Sequence, residues 1–195
     1  MKRLAVYCGS STGTDPIYVE EAKKLGQILV ANGIDLVYGG SNVGCMGAVA
    51  DGVLENGGNV IGVIPEKLKN VEIAHEKLTE LHVVQSMHER KAMMADYADG
   101  FIALPGGTGT LEEWFEVFTW AQIGYHKKPC ALLNINNYYD PIMTLFDHMI
   151  EQGFVKPAYK ELILIENESK KLIERMLKHE GTYIHKWGAD PTEKK

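Results

Sequence analysis

Three cysteines are all that the 195 residues contain. Cys8, Cys45 and Cys130 are odd in number, far apart, and show neither CxxC nor zinc-type spacing, which excludes a disulfide framework and points to free thiols in a reducing compartment. No apolar run approaches the length of a transmembrane helix. The stretch Leu4–Cys8 behind Met1-Lys2-Arg3 is too short for a signal-peptide core, so the expected location is cytoplasmic, with no membrane partner. An excess of basic charge is also missing. Lys and Arg total 20 against 26 Asp and Glu, a formal net charge of −6, which argues against a nucleic-acid partner. A small anionic ligand is still allowed, because local backbone donors can outweigh a weak global charge.

Several common signatures are absent as well. There is no G-x-G-x-x-G, no Gly-Lys-Ser/Thr, and no G-x-S-x-G elbow, which weakens dinucleotide, P-loop and serine-hydrolase readings. No His, Asp or Glu set has metal-ligand spacing, so neither metal nor cofactor is expected.

What the chain does have is a repeated rhythm: short apolar run, glycine-rich turn, amphipathic helix. Strands are predicted at Leu4–Cys8, Asp35–Tyr38, Val60–Ile64 (stopped by Pro65), Leu81–Val84, Phe101–Leu104, Cys130–Asn134 and Leu162–Ile165. Helices are predicted from Asp15-Pro16 to Asn32-Gly33, over Met46–Leu54, from the Ser86-x-x-Glu89 capping box to about Tyr97, and over Thr110–Ile123, Tyr138–Gln152 and Glu168–His179. Residues 66–80 have no clear period and read as an irregular or short-helical loop. Strands alternating with helices imply a single α/β Rossmann-like three-layer domain over residues 1–180 with a central parallel sheet. Residues 181–195 form a polar C-terminal tail. In such sheets the ligand crevice lies beyond the carboxyl ends of the strands, and glycine-rich loops fall there at 9–13, 39–47 and 105–109.

The most informative segment is Pro105-Gly106-Gly107-Thr108-Gly109-Thr110-Leu111-Glu112-Glu113. It follows a predicted strand and opens a predicted helix. Glycines let successive N–H groups turn to one point and the helix N-terminus adds positive potential, which together make a phosphate cradle. Glu112 and Glu113 point about 100° apart on a helix, so they cannot serve one ligand equally. Thr110-x-x-Glu113 is also a capping box, and spacing alone weighs cap against catalyst evenly. Glu116 reads as a solvated helix charge, and Trp114, Phe115, Phe118 and Trp120 as core packing. In Met87-His88-Glu89-Arg90-Lys91, Arg90 shares a face with Met93, Met94 and Tyr97. A guanidinium on an apolar stripe needs an anionic partner, either an internal carboxylate or a substrate.

These two segments, in this order and separation, resemble the paired signature of the LONELY GUY family, cytokinin riboside 5′-monophosphate phosphoribohydrolases often labelled lysine decarboxylases. The similarity extends through Ala5–Ser10, Tyr38-Gly39-Gly40, Gly44–Gly47, Thr119–Gln122 and Tyr138-Tyr139, and so covers roughly residues 4–155. The resemblance implies hydrolysis of the N-glycosidic bond of adenosine 5′-monophosphates, plain or N6-substituted, to free base and ribose 5-phosphate. It makes Arg90 and Glu113 the catalytic pair. Glu72, Lys91, Gly107, Thr108, Gly109, Thr110, Leu111, Glu112 and Thr119 become nucleotide contacts, and the assembly becomes a homodimer with its site near the interface. Thr108 stands where many relatives carry Tyr, and Cys45 where Leu is usual. The competing readings are a nucleotide-binding module without catalysis and a pyridoxal-phosphate decarboxylase. The latter needs a Schiff-base lysine, for which Lys91 is the sole candidate.

Overall fold

Alternate residues of β1 (Arg3–Tyr7) face opposite sides of the sheet, and the two sets are buried in two different cores. Leu4 and Val6 pack with Leu36, Tyr38, Leu25, Leu29, Val49 and Val53. Ala5 and Tyr7 pack with Val37, Phe101, Trp114, Phe118 and Phe146. A strand apolar on both faces suits the centre of a sheet covered by helices on both sides. The computed structural model describes residues 1–69 and 74–181, and it has this three-layer form.

After β1 come α1 (Ile17–Ala31), β2 (Asp35–Tyr38), α2 (Gly44–Leu54), β3 (Val60–Pro65) and the short α3 (Glu66–Lys69). β4 (Glu80–Val84), α4 (Met87–Tyr97), β5 (Phe101–Ala103), α5 (Thr108–Gln122) and β6 (Cys130–Leu133) follow. The chain closes with α6 (Asp140–Glu151), β7 (Ile163–Glu166) and α7 (Ser169–Leu177). The seven strands are all parallel, in the order β4-β3-β2-β1-β5-β6-β7. The order reverses between β1 and β5, and a crevice opens at the carboxyl ends of strands at such a switch point. The single α/β domain with a central parallel sheet is thus what the chain adopts. No helix among the described residues is long and apolar enough to cross a membrane.

The departures from the sequence reading are local. β3 includes Pro65, which pairs in register with Val84, so the proline ends the strand from inside it. α6 starts at Asp140 instead of Tyr138, because Asn136 and Asn137 adopt positive φ (51° and 59°) in the turn before it. α1 starts at Ile17 with Pro16 at its N-cap, one position later than the expected Asp15 cap. Asp15 Oδ1 accepts from the Ile17 amide at 3.0 Å from just outside the helix. The tail from residue 182 onward and Glu72 lie outside the described residues.

Candidate active site

The crevice is built by three strand ends. Tyr7 runs into Cys8-Gly9-Ser10, Tyr38 into Gly39-Gly40, and Ala103 into Leu104-Pro105-Gly106-Gly107. The first and third are stitched together by backbone bonds, Leu104 N to Tyr7 O (2.9 Å) and Gly9 N to Pro105 O (3.3 Å). α5 rises directly from the third loop.

α5 begins two residues earlier than its sequence suggested, with Gly107 as its N-cap in extended conformation. The capping box at Thr110 therefore does not form, and Glu113 falls in the second turn, too far in to cap anything. The first-turn amides of Thr108, Gly109 and Thr110 precede the first intrahelical bond, Leu111 N to Gly107 O (3.2 Å). All three residues line the cleft, and amides left free at a helix N-terminus are able to hold an anion.

Across from this cradle stands α4. Its N-terminus is capped by Ser86, whose Oγ accepts from the Glu89 amide at 3.2 Å. Glu89 reaches back, but to the amide of Gln85 (2.8 Å) and not to that of Ser86. Arg90, one turn in, is only 5% exposed. Its Nε lies 4.0 Å from Glu113 Oε1, and its Nη2 donates to the carbonyl of Gly39 at 3.4 Å. A Cβ on Gly39 would run into that same Nη2 and into the Met46 methyl. Gly39 is thus the residue that lets a guanidinium lie against the end of β2, and nothing in the local pattern of the sequence marked it for that role.

Arg90, Glu113, Glu112, Gly107, Thr108, Gly109 and Thr110 line one cleft of about 280 Å³, together with Cys8, Gly9, Ser10, Met46 and Met87. That is at the lower end of small-ligand pockets. Leu111, Lys91 and Thr119 do not line it. Leu111 packs towards the α5-side core, and Thr119 lies exposed three turns along α5. Lys91 is buried between two carboxylates, 2.5 Å from Glu112 Oε1 and 3.1 Å from Glu116 Oε1. Glu116 is therefore not the solvated charge its sequence context suggested. It lies one turn from Glu112 on the same helix face, and Lys91 bridges the two.

The electrostatics separate these groups further. Burial alone would depress the Lys91 ammonium, but its bonds to Glu112 and Glu116 outweigh that and hold its pKa above the usual lysine value. A Schiff-base lysine needs the opposite shift. Burial, with Cys45 and Glu113 nearby, pushes the Cys8 thiol well up, so it remains a thiol at neutral pH and is a poor nucleophile. The Tyr7 phenol beneath the cleft is likewise raised by burial and by Glu113. Among the described residues no group of three or more His, Cys, Asp or Glu is arranged to hold a metal ion.

Comparison with known proteins shows the family to which the chain belongs. A family model described as "possible lysine decarboxylase" matches residues 46–176. A cytokinin riboside 5′-monophosphate phosphoribohydrolase of Arabidopsis thaliana is 48% identical over 182 residues, 93% of this chain and 84% of that protein. A protein of the same name from Rhodococcoides fascians is 47% identical over 165 residues, covering 84% of this chain and 83% of its own. A molybdenum cofactor binding protein from Rippkaea orientalis superposes with a TM-score of 0.71 over 91% of this chain and 97% of its own. At 23% identity, that likeness speaks for the fold alone. Extended identity over nearly the whole chain, with Arg90, Glu113 and the glycine-rich turn gathered in one cleft, places the chain in the family of cytokinin riboside 5′-monophosphate phosphoribohydrolases.

Proposed function

We propose that the chain hydrolyses the N-glycosidic bond of adenosine 5′-monophosphates, plain or N6-substituted, releasing free base and ribose 5-phosphate. The observation that carries this is the meeting of Arg90 and Glu113 within 4.0 Å in the cleft that also holds the N-terminus of α5. The name shared by relatives at 46–49% identity supports it.

The chemistry follows from where charge develops. As the glycosidic bond lengthens, the ribose gains oxocarbenium character and the bonding electrons pass to the base. The 5′-phosphate, held by the amides of Thr108, Gly109 and Thr110 and by nearby hydroxyls, fixes the ribose one helical turn from Glu113. The Glu113 carboxylate then stabilises the cationic ring or takes the proton of the attacking water, whose oxygen bonds to the anomeric carbon. Arg90 balances the carboxylate and the negative charge on the departing base, which then takes up the proton that the water gave to Glu113. Met46 and Met87 provide an adaptable apolar wall beyond the ribose.

Lys91, which the same family resemblance names as a nucleotide contact, braces α4 against α5 through Glu112 and Glu116. Glu72 is a further nucleotide contact in the family-based assignment, which also names Leu111 and Thr119, although these two do not line the cleft. A homodimer is supported by the exposure of Leu81 and Val83 on the edge strand β4 and of Met87, which lines the cleft. Three free buried thiols suit the cytoplasm.

The test is release of ribose 5-phosphate from the purified chain given AMP and N6-isopentenyl-AMP, with the unphosphorylated ribosides as controls. Release from the monophosphates alone is expected. Tight AMP binding without release from either would favour a binding module instead, and light scattering on the same sample reads the dimer.

A further inference from the structure

A second cleft adjoins the first and is not needed for the reaction above. It encloses about 330 Å³ between Gly9-Ser10-Ser11-Thr12-Gly13, Tyr18, Cys45, Pro105-Gly106-Gly107 and Tyr138. It shares Gly9, Ser10 and Gly107 with the Arg90–Glu113 cleft, so the two open on either side of one ridge, the start of α5.

The walls are firmly set. The Tyr18 and Tyr138 rings meet edge to face, 5.9 Å between centroids at 77°. Tyr138 Oη donates to the Gly106 carbonyl at 2.6 Å, which ties one ring to the phosphate loop. The other ring lies against Gly13, which has φ +73° and where a Cβ would come within 2.7 Å of the Tyr18 ring. Cys45 N donates to Ser11 O at 3.4 Å, which pins the floor to α2. Among the described residues no lysine or arginine lines this cleft. Its polar groups are loop hydroxyls and amides.

The position of the cleft along a bound nucleotide follows from the reading of Arg90 and Glu113 above, on which this inference rests. With the phosphate on the α5 N-terminus and the anomeric carbon near Glu113, the base continues towards Met46 and Met87. The second cleft is therefore on the far side of the phosphate. A group reaching it must be attached through the 5′-phosphate oxygen. A further phosphate is poorly served there, since no cationic side chain is present to offset its charge. A neutral ring is well served, with two tyrosine faces to pack on and Ser10, Ser11 and Thr12 to meet sugar hydroxyls.

We propose that this cleft is a binding subsite for a neutral, ring-bearing group esterified to the 5′-phosphate, so that the chain takes adenosine 5′-phosphodiesters as ligands as well as monophosphates. The probes are the phenyl and methyl esters of AMP, with ADP as the charged control. The two esters carry the same charge and differ only in the ring. Calorimetry on the full chain is expected to show the phenyl ester binding about tenfold more tightly than the methyl ester, the scale of one aromatic stacking contact. ADP is expected to bind more weakly than AMP. In Tyr18→Leu the advantage of phenyl over methyl should collapse to near parity. Tyr138→Leu should do the same, and Tyr18→Leu guards against any effect of losing the bond to Gly106.

Equal binding of the two esters overturns the proposal, as does an advantage that survives in both variants. A change in preference between AMP and N6-isopentenyl-AMP in Tyr18→Leu also overturns it, because the base would then occupy this cleft. Ribose 5-phosphate release from AMP, followed in parallel, reports separately on the catalytic reading: it can fail while the ester comparison holds, or hold while that comparison fails.

Discussion

Arg90 and Lys91 are neighbours on α4, and Glu112 and Glu113 are neighbours on α5, yet the two cross-helix charge groupings they form differ in character. Lys91 is closed between Glu112 and Glu116 at 2.5 and 3.1 Å and lines no part of the cleft. Arg90 and Glu113 stand 4.0 Å apart and both face it. One residue of offset on each helix turns the side chains by about 100°. That rotation converts one grouping into a clamp between helices, of which only Glu112 reaches the cleft, and the other into a wall of the site. Short distances are therefore a poor guide to function here. The tighter ion pair is the one that fixes the architecture.

If that contrast is right, the largest effect comes from the open pair. Glu113→Gln and Arg90→Ala are each expected to lower kcat for ribose 5-phosphate release by about a thousandfold, as loss of a charged group acting on the transition state does. Thermal unfolding should show both variants folded. A folded variant of either kind turning over at near the parental rate would remove the pair from the mechanism.

The next largest effect is positional. Gly39→Ala places a methyl where Arg90 Nη2 now lies, so the guanidinium must move while its charge is kept. A displacement of this size is expected to cost about a hundredfold in kcat. KM for AMP should change little, since the α5 cradle is untouched. A large rise in KM with kcat preserved would instead make Arg90 a binding group.

Much of this was legible in the sequence, and the boundary between what was and what was not is physical. The strand–helix rhythm, the parallel sheet and the glycine-rich turn that opens α5 follow from local periodicity and turn chemistry, which a linear chain displays. The Ser86 cap is local too, and it forms as expected apart from Glu89 choosing the Gln85 amide. The start of α5 was misplaced because Thr110-x-x-Glu113 is a valid box in isolation. The true start is set by the approach of loop 105–107 to Gly9, a contact nearly a hundred residues away in sequence. Glu116 and Gly39 were missed for the same reason: the partner of each, Lys91 or Arg90, is on another element. Tyr138 was noted only as part of a resemblance, and its pairing with Tyr18 has no local signature.

The closed grouping should behave in the reverse way, affecting stability and not rate. Lys91→Met keeps the aliphatic bulk but leaves Glu112 and Glu116 facing each other. Glu112 is largely exposed and can rehydrate, so the expected loss in urea unfolding is about 1–2 kcal/mol. The rate with AMP should remain close to the parental one. The pH dependence has a definite sign. Because the folded-state pKa of Lys91 is raised, its contribution is complete below the unfolded lysine value, roughly 10.4, and is lost as pH rises through the folded value. The stability gap between parent and variant should therefore be flat through neutral pH and close only on the alkaline side. A gap that closes between neutrality and that value would mean the pair does not hold the proton as described.

The smallest effect tests whether the start of α4 matters to either grouping. Ser86 Oγ accepts one amide bond, from Glu89, and Ser86→Ala is expected to cost about 1 kcal/mol, the usual value of such a cap. Arg90 lies a full turn inside the helix; its Nη1 touches Met87 Sδ in the first turn at 3.8 Å, but its main anchors, Gly39 and Glu113, are outside α4. Fraying of the first turn should therefore lower the urea midpoint while the rate with AMP is kept. A fall in rate larger than the fall in stability would show that the cap positions Arg90, and the separation between architectural and reactive contacts would then fail at the helix end where the two are closest in sequence.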